Sequence, residues 1–376
     1  MENDYANQVL HSDLPIPPGE YLEEVVRELG MSKEELAKRM NRPAPKLSAI
    51  FKGDKSITPD TALQLEKVVG VPAHIWTGLE AEYRLAIARR QEALEQQRLK
   101  EESHLVKCFC YADLVRLGMV ERRTRSIEKV LELQKFFGVT SLKTVRNLRR
   151  YQVAFRSAKR KRSPEAVAAW LRIGELHAQK RDCASFQKTK LKGALNQIRN
   201  MTRQSPAQFQ SALYQILSDS GVALVLCPHL RGTFAHGATF WLGRDKAVVM
   251  MTLRYKWADI FWFTLFHELG HILLHNRQIV ILEEKDGDHT SNQLEAEADR
   301  FAADNLIPSS KYKEFIKMRR FYPQNIESFA SDIGISSGIV VGRLQKDDYL
   351  APSWHNSLRV RFEWNLNKYF KSWNDK

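Results

Sequence analysis

Apolar positions in the first ninety residues recur at helical spacing and are broken by short polar stops. Ser32 with Glu35 predicts a capping box that opens a helix over 33–40, and Thr58 before Pro59 predicts a cap and a first-turn proline. Between them, residues 41–43 make a break and 46–52 a further helix closed by Gly53. The pattern is therefore helix, tight turn, helix, with Leu36, Ala37, Met40, Leu47, Ile50 and Phe51 able to share one small core. Residues 81–104 lack Gly and Pro and mix both charge signs, as a long exposed connecting helix does. Residues 105–204 continue helical, setting Phe136, Phe137, Tyr151, Phe155, Trp170 and Leu171 among basic residues. From Ser205 the period changes: one more helix precedes strand-like runs at 222–226, 238–242 and 247–253, and an oily helix follows with Asp259 as its expected cap.

Composition narrows the class. With 376 residues, 43% of them hydrophobic and 27% charged, the chain is long enough for two or three globular domains. Its most apolar run, 260–274, is interrupted by His267, Glu268 and His271, so no membrane span is expected. The polar, acidic start MENDYANQVLHSD lacks the basic and apolar parts of a secretory signal, which points to the cytosol. Cys108, Cys110, Cys183 and Cys227 form no CxxC pair and read as reduced structural thiols. The net charge of +14 is concentrated: residues 141–203 hold 17 Lys or Arg against Glu165, Glu175 and Asp182. That segment is either a solvated helical face or a footprint for a polyanion.

The stretch FTLFHELGHILLH, 263–275, buries three polar groups in its oiliest helix. Residues four apart share a helix face, so His267 and His271 can aim two imidazoles at one cation, with Glu268 beside the position left for water. This is the HExxH arrangement of two neutral nitrogen ligands and a general base, suited to zinc. Burial strengthens the reading, because unpaired buried polar groups are costly and a metal would pair them. HExxHxxGxxH is excluded, since Leu274 and Arg277 stand where Gly and His would be needed. Downstream, LEAEADRFAADNLIP offers Glu295, or Glu297, as a third ligand and Asp299 to orient a ligand histidine. His236, His275 and His289 have weaker claims.

Taken together, LFHELGHILLH, EAEADRFAADNLIP and IGISSGIVVGRLQ resemble the ImmA/IrrE family of small gluzincin-type zinc metallopeptidases. PPGEYLEEVVRELGMSKEELAKRM and IFKGDKSITPDTALQLEKVVGVPAHIW resemble the HigA/VapI branch of Xre helix-turn-helix regulators. The resemblances imply a mainly α protein with an α+β metallopeptidase domain: a five-helix bundle at 14–85, a helical middle region at 86–204, a minimal gluzincin-like protease fold at 205–350 and a tail at 351–376. They imply a prokaryotic or phage-derived regulator that pairs DNA binding with cleavage of a partner repressor or antitoxin. Zn2+ would be held by His267, His271 and Glu295, with Glu297 as the alternative third ligand, Glu268 as base and Asp299 behind a ligand histidine. Pro17 departs from the His that relatives often carry before PGE, and Pro45 stiffens the start of the second helix.

Helix-turn-helix docking places that second helix in the major groove. Lys46, Ser48, Ala49 and Lys52 are then expected at base edges or phosphates, and Arg42 and Lys55 at the backbone. The expected partners are a palindromic operator in double-stranded DNA, a second copy of the chain, and a toxin, repressor or other protein substrate. A substrate strand is expected to pair with the sheet along GATFWL or AVVMMTL, and Arg343 in the GRLQ stretch is a weaker candidate to approach the cleft. The alternative is an antitoxin-type repressor whose zinc site is structural or sensory and does not cleave.

Overall fold

A computed structural model describes residues 15–152, 163–252, 256–275, 280–282 and 289–362. Phe155, Arg277, the 153–162 part of the basic segment and the tail beyond 362 lie outside the described residues. Two compact units divide the chain, Met1–Glu101 and Glu102–Lys376.

The first unit contains α1 (Pro18–Glu28), α2 (Lys33–Arg39), α3 (Ala44–Phe51), α4 (Pro59–Val69) and all but the last residue of α5 (Ala73–Glu102). Leu22, Leu36, Leu47, Leu65 and Trp76 form its buried centre, and Trp76 Nε1 donates to Val71 O at 3.1 Å. Both expected caps are present: Ser32 Oγ accepts Glu35 N–H at 3.1 Å, and Thr58 Oγ1 accepts Thr61 N–H at 3.3 Å. The capping box at Ser32 is only half made, because the Glu35 side chain pairs with Arg39. Helix α3 starts at Ala44, earlier than the expected 46, because Pro45 falls in the first turn, where its missing N–H has no intrahelical partner to lose.

In the second unit α6 (Leu105–Cys108), α7 (Tyr111–Arg116), α8 (Ser126–Phe137), α9 (Pro164–Lys180), α10 (Lys188–Asn200) and α11 (Pro206–Asp219) precede the sheet. The helices of 105–200 and the sheet thus share one unit. The buried Glu102 carboxylate accepts from Gln134 Nε2 and Leu142 N–H and so ties residue 102 to α8 and to the turn at 142. Four strands follow the order β1-β3-β2-β4, with β1 Val222–Leu226, β2 Gly237–Leu242, β3 Lys246–Met251 and β4 Val280–Leu282. β1 runs parallel to β3, whereas β2 is antiparallel to both β3 and β4.

The oily helix is α12 (Ala258–Leu274), and α13 (His289–Leu306) packs along it. Gly270 makes that approach possible: a Cβ there would meet Phe301 Cδ1 at 3.0 Å and Ala298 Cα at 3.3 Å. α14 (Ser309–Lys317), α15 (Pro323–Ile333) and α16 (Ser337–Lys346) complete the unit. Arg199 joins two helix ends, donating to Leu306 O at 3.0 Å and Ile333 O at 2.6 Å, where carbonyls lack intrahelical partners.

Asp259 is not the cap of α12. Trp257 occupies that position, while Asp259 sits in the first turn, buried against Arg359 with Oδ2 to Nη2 at 2.7 Å and Oδ1 to Nε at 3.1 Å. Residues 351–362 return to α12 to make this pair. Ala258 N–H donates to Val360 O at 2.9 Å, and Phe362 is buried in the core. Both partners of the ion pair are about nine-tenths buried, so removing one strands the other's charge. Arg359→Ala is expected to lower stability by about 3–5 kcal/mol, read from urea unfolding followed by circular dichroism; a loss under about 1 kcal/mol would contradict the placement of this pair.

Candidate metal centre

Three donor atoms converge between α12 and α13. His267 Nε2 lies 2.9 Å from His271 Nε2 and 3.2 Å from Glu295 Oε2, and His271 Nε2 lies 3.4 Å from Glu295 Oε1. One donor from each of the three residues falls within 4.8 Å of the other two, and all three side chains are largely buried. The spacing follows from helix geometry. His267 and His271 are one turn apart on α12, and Glu295, Ala298, Asp299 and Ala302 share a face of α13, the two alanines fully buried against α12.

Hydrogen bonds aim the lone pairs inward. Asp299 Oδ1 lies 2.9 Å from His267 Nδ1, and a carboxylate only accepts, so Nδ1 carries the proton. With a cation in place, the proton on Nδ1 leaves Nε2 as the ring's lone-pair donor, on the side of Glu295. Such donors repel one another unless a cation lies among them. Burial opposes charge on His267, but its bonds to Asp299 and Glu295 outweigh that and lift its pKa to about 10 in the metal-free chain. Burial holds His271 below the ordinary histidine range. At Asp299 burial is outweighed by His267 and Lys346, and the pKa falls to about 2. The donor set fits a metal: tetrahedral zinc with bonds of about 2.0–2.2 Å places neighbouring donors roughly 3.3–3.6 Å apart, at or just beyond the observed spacings.

Glu268 is fully buried beside these ligands and is held by β2. Thr239 Oγ1 donates to Glu268 Oε2 at 2.6 Å. Two residues earlier on the same strand face, a Cβ on Gly237 would lie 2.2 Å from Glu268 Oε1, so the carboxylate approaches where only glycine leaves room. A cleft of about 790 Å³ opens onto His267 and Glu295, with apolar walls at Ile260, Phe263 and Ile339. His236, Arg343, Lys346 and Arg359 also line it, and the segment that carries Arg359 forms one end.

The structure brings together His267, His271, Glu295, Glu268 and Asp299 as the sequence placed them, and it separates Glu297, whose Oε2 faces His275 Nε2 at 3.3 Å. Among the described residues, neither stretch expected to hold a substrate strand runs as an open sheet edge along its whole length. β3 lies inside the sheet, and β2 is paired on both sides, with β4 covering Ala238, Thr239 and Phe240. Thr239, Lys346 and Arg359 are parts of the site that the sequence does not single out, and His275, given only a weaker claim there, is one as well. His275 continues the four-residue spacing of His267 and His271, a signal available in the sequence, whereas Lys346 and Arg359 reach the cleft only through the tertiary fold.

In the first unit Lys46, Ser48, Lys52 and Lys55 are exposed and Ala49 is half-buried. Arg42, expected at the DNA backbone, is paired within the unit. Its guanidinium is committed to Asp60 at 2.8 Å and Gln64 at 2.6 Å and braces the turn before α3 against α4.

Comparison with known proteins divides along the same units. Residues 259–345 match the IrrE N-terminal-like domain of peptidase family M78, and residues 22–76 match a helix-turn-helix family. Virulence-associated protein I of Dichelobacter nodosus is 33% identical over 78 residues, which are 20% of this chain and 72% of that protein. The uncharacterised HTH-type transcriptional regulator YddM of Escherichia coli K12 is 30% identical over 73 residues, 19% of this chain and 78% of that protein. Among solved structures, an addiction module antidote protein of the HigA family from Coxiella burnetii is 37% identical and covers 22% of this chain and 91% of its own, with a TM-score of 0.21.

Asp299→Ala, which leaves the three donors in place but frees the His267 ring, is expected to weaken zinc binding about 10–100-fold in competition with a chromogenic chelator. Unchanged affinity would show that Asp299 does not support the site.

Proposed function

We propose that this chain, which belongs to the Xre-type helix-turn-helix regulators through its first unit and carries an IrrE-like peptidase-family domain in its second, is a DNA-binding regulator that cleaves a partner protein. The observation that carries the proposal is the convergence of His267, His271 and Glu295 beside a buried Glu268, at the mouth of an open cleft. A purely structural metal site needs neither the base nor the cleft, and this favours catalysis over the structural or sensory alternative.

Zn2+ is the ion best suited to two imidazoles and one carboxylate, and when bound it would polarise the scissile carbonyl and acidify a water. His267, His271 and Glu295 would hold it, and Asp299 keeps the His267 ring in its ligand tautomer. Glu268 takes the proton of the attacking water and returns it to the leaving amine, steadied by the Thr239 hydroxyl. The apolar walls of the cleft receive the substrate chain. The substrate is a partner repressor or antitoxin protein.

The first unit reads double-stranded DNA. Lys46 and Ser48 on the exposed face of α3 and Lys52 at its C-cap meet base edges or phosphates, with Lys55 at the backbone, and two copies bind the half-sites of a palindromic operator. Among the described residues no helix is long and apolar enough to cross a membrane, and a partner in DNA places the protein's work in the cytoplasm.

Glu268→Gln is expected to bind zinc as the wild type does while cleavage of the neighbouring gene's product, read on gels, falls at least 100-fold. Equal cleavage by both proteins would remove the enzymatic reading. Lys46→Glu with Lys52→Glu is expected to weaken operator binding and to flatten the dependence of log K on log salt by about 0.9 for each phosphate no longer neutralised; an unchanged slope would exclude these lysines from the interface.

A further inference from the structure

His275 stands directly after the last residue of α12, one further helical turn along the line of His267 and His271. Its side chain is only 3% exposed. Its Nδ1 lies 3.0 Å from His271 Nδ1, and its Nε2 lies 3.3 Å from Glu297 Oε2. Two nitrogens facing each other form a hydrogen bond only if one is protonated and the other is not. The outer contact decides which. Because a carboxylate accepts and cannot donate, the proton of His275 sits on Nε2, and its Nδ1 is the acceptor. His271 therefore donates from Nδ1, which leaves its lone pair on Nε2, the atom 3.4 Å from Glu295 and 2.9 Å from His267.

We propose that Glu297 and His275 form a two-member relay that fixes the ring plane and tautomer of His271 as a metal ligand. It does through an intervening imidazole what Asp299 does directly for His267. Helix geometry shows why the two ligands are served differently. Asp299 is one turn after Glu295 on α13 and reaches His267. Glu297 is two residues after Glu295, about 200° further round the helix, so it cannot join the donor cluster and meets the end of α12 instead. His275 bridges what remains. His275 and Glu297 are thus positioning residues, and the inference rests on the reading of His267, His271 and Glu295 as a metal site.

The test uses the full chain and zinc alone. His275→Phe keeps an aromatic ring but removes the acceptor, and it is expected to weaken zinc binding about 10–100-fold in chelator competition. His275→Gln, whose amide oxygen can accept from His271, is expected to recover part of that loss. Nitrogen-15 spectra of the histidine rings in the metal-free protein should show His271 protonated at Nδ1 in the wild type and a mixture of tautomers in His275→Phe. Should His275→Phe fail to fold, Glu297→Ala tests the same relay from its half-exposed end. A wild type that binds zinc, with both His275→Phe and Glu297→Ala within about twofold of it, would overturn the relay and leave the metal site standing. A wild type that takes up no zinc would overturn both.

Discussion

Lone pairs that point at one another inside a protein need positive charge between them, and the second unit is organised around that need. His267, His271 and Glu295 bring two imidazole nitrogens and a carboxylate within about one coordination sphere, in surroundings too dry to screen their repulsion. The raised pKa of His267 expresses the same demand in the metal-free chain: without another cation, a proton takes the place. The apolar sequence of α12 buries the donors, Gly270 brings α13 close enough to supply the third, and Asp299 and His275 turn the rings. Arg359 pairs with Asp259 in the first turn of α12, and both line the same cleft as His267 and Glu295.

Much of this is legible in the sequence because it is periodic. A four-residue spacing puts two histidines on one helix face wherever the helix lies, and LEAEADRFAADNLIP sets Glu295 four residues from Asp299 on another helix. The choice between Glu295 and Glu297 is not legible, since it depends on the rotation of α13 about its axis, which Gly270, Ala298 and Ala302 set through close packing. Edge strands escape the sequence for a related reason. Short runs rich in β-branched and aromatic residues identify β2 and β3 as strands, but the order of strands in a sheet follows from crossovers that local pattern does not encode. The pairing of Asp259 with Arg359 joins residues a hundred positions apart and leaves no local trace.

The first unit shows the opposite balance. Its caps, its turn and its core are all readable, because each is settled within a few residues: Ser32 and Thr58 bond three residues ahead, and α2 and α3 share apolar positions across a short break. Arg42 is the exception. Its basic character suggests a phosphate contact, yet Asp60 and Gln64 on α4 satisfy the guanidinium internally. A cation's availability is a tertiary property, and for that reason the exposed Lys46 and Lys52 are the stronger candidates for DNA.

The most direct measurement of the central claim is zinc K-edge X-ray absorption on protein purified with its metal. The account predicts one zinc per chain, with two imidazole shells and an oxygen scatterer at about 2.0–2.2 Å. Less than a tenth of an equivalent of zinc, or a sulfur shell near 2.3 Å that would assign the metal to the cysteines, would contradict it.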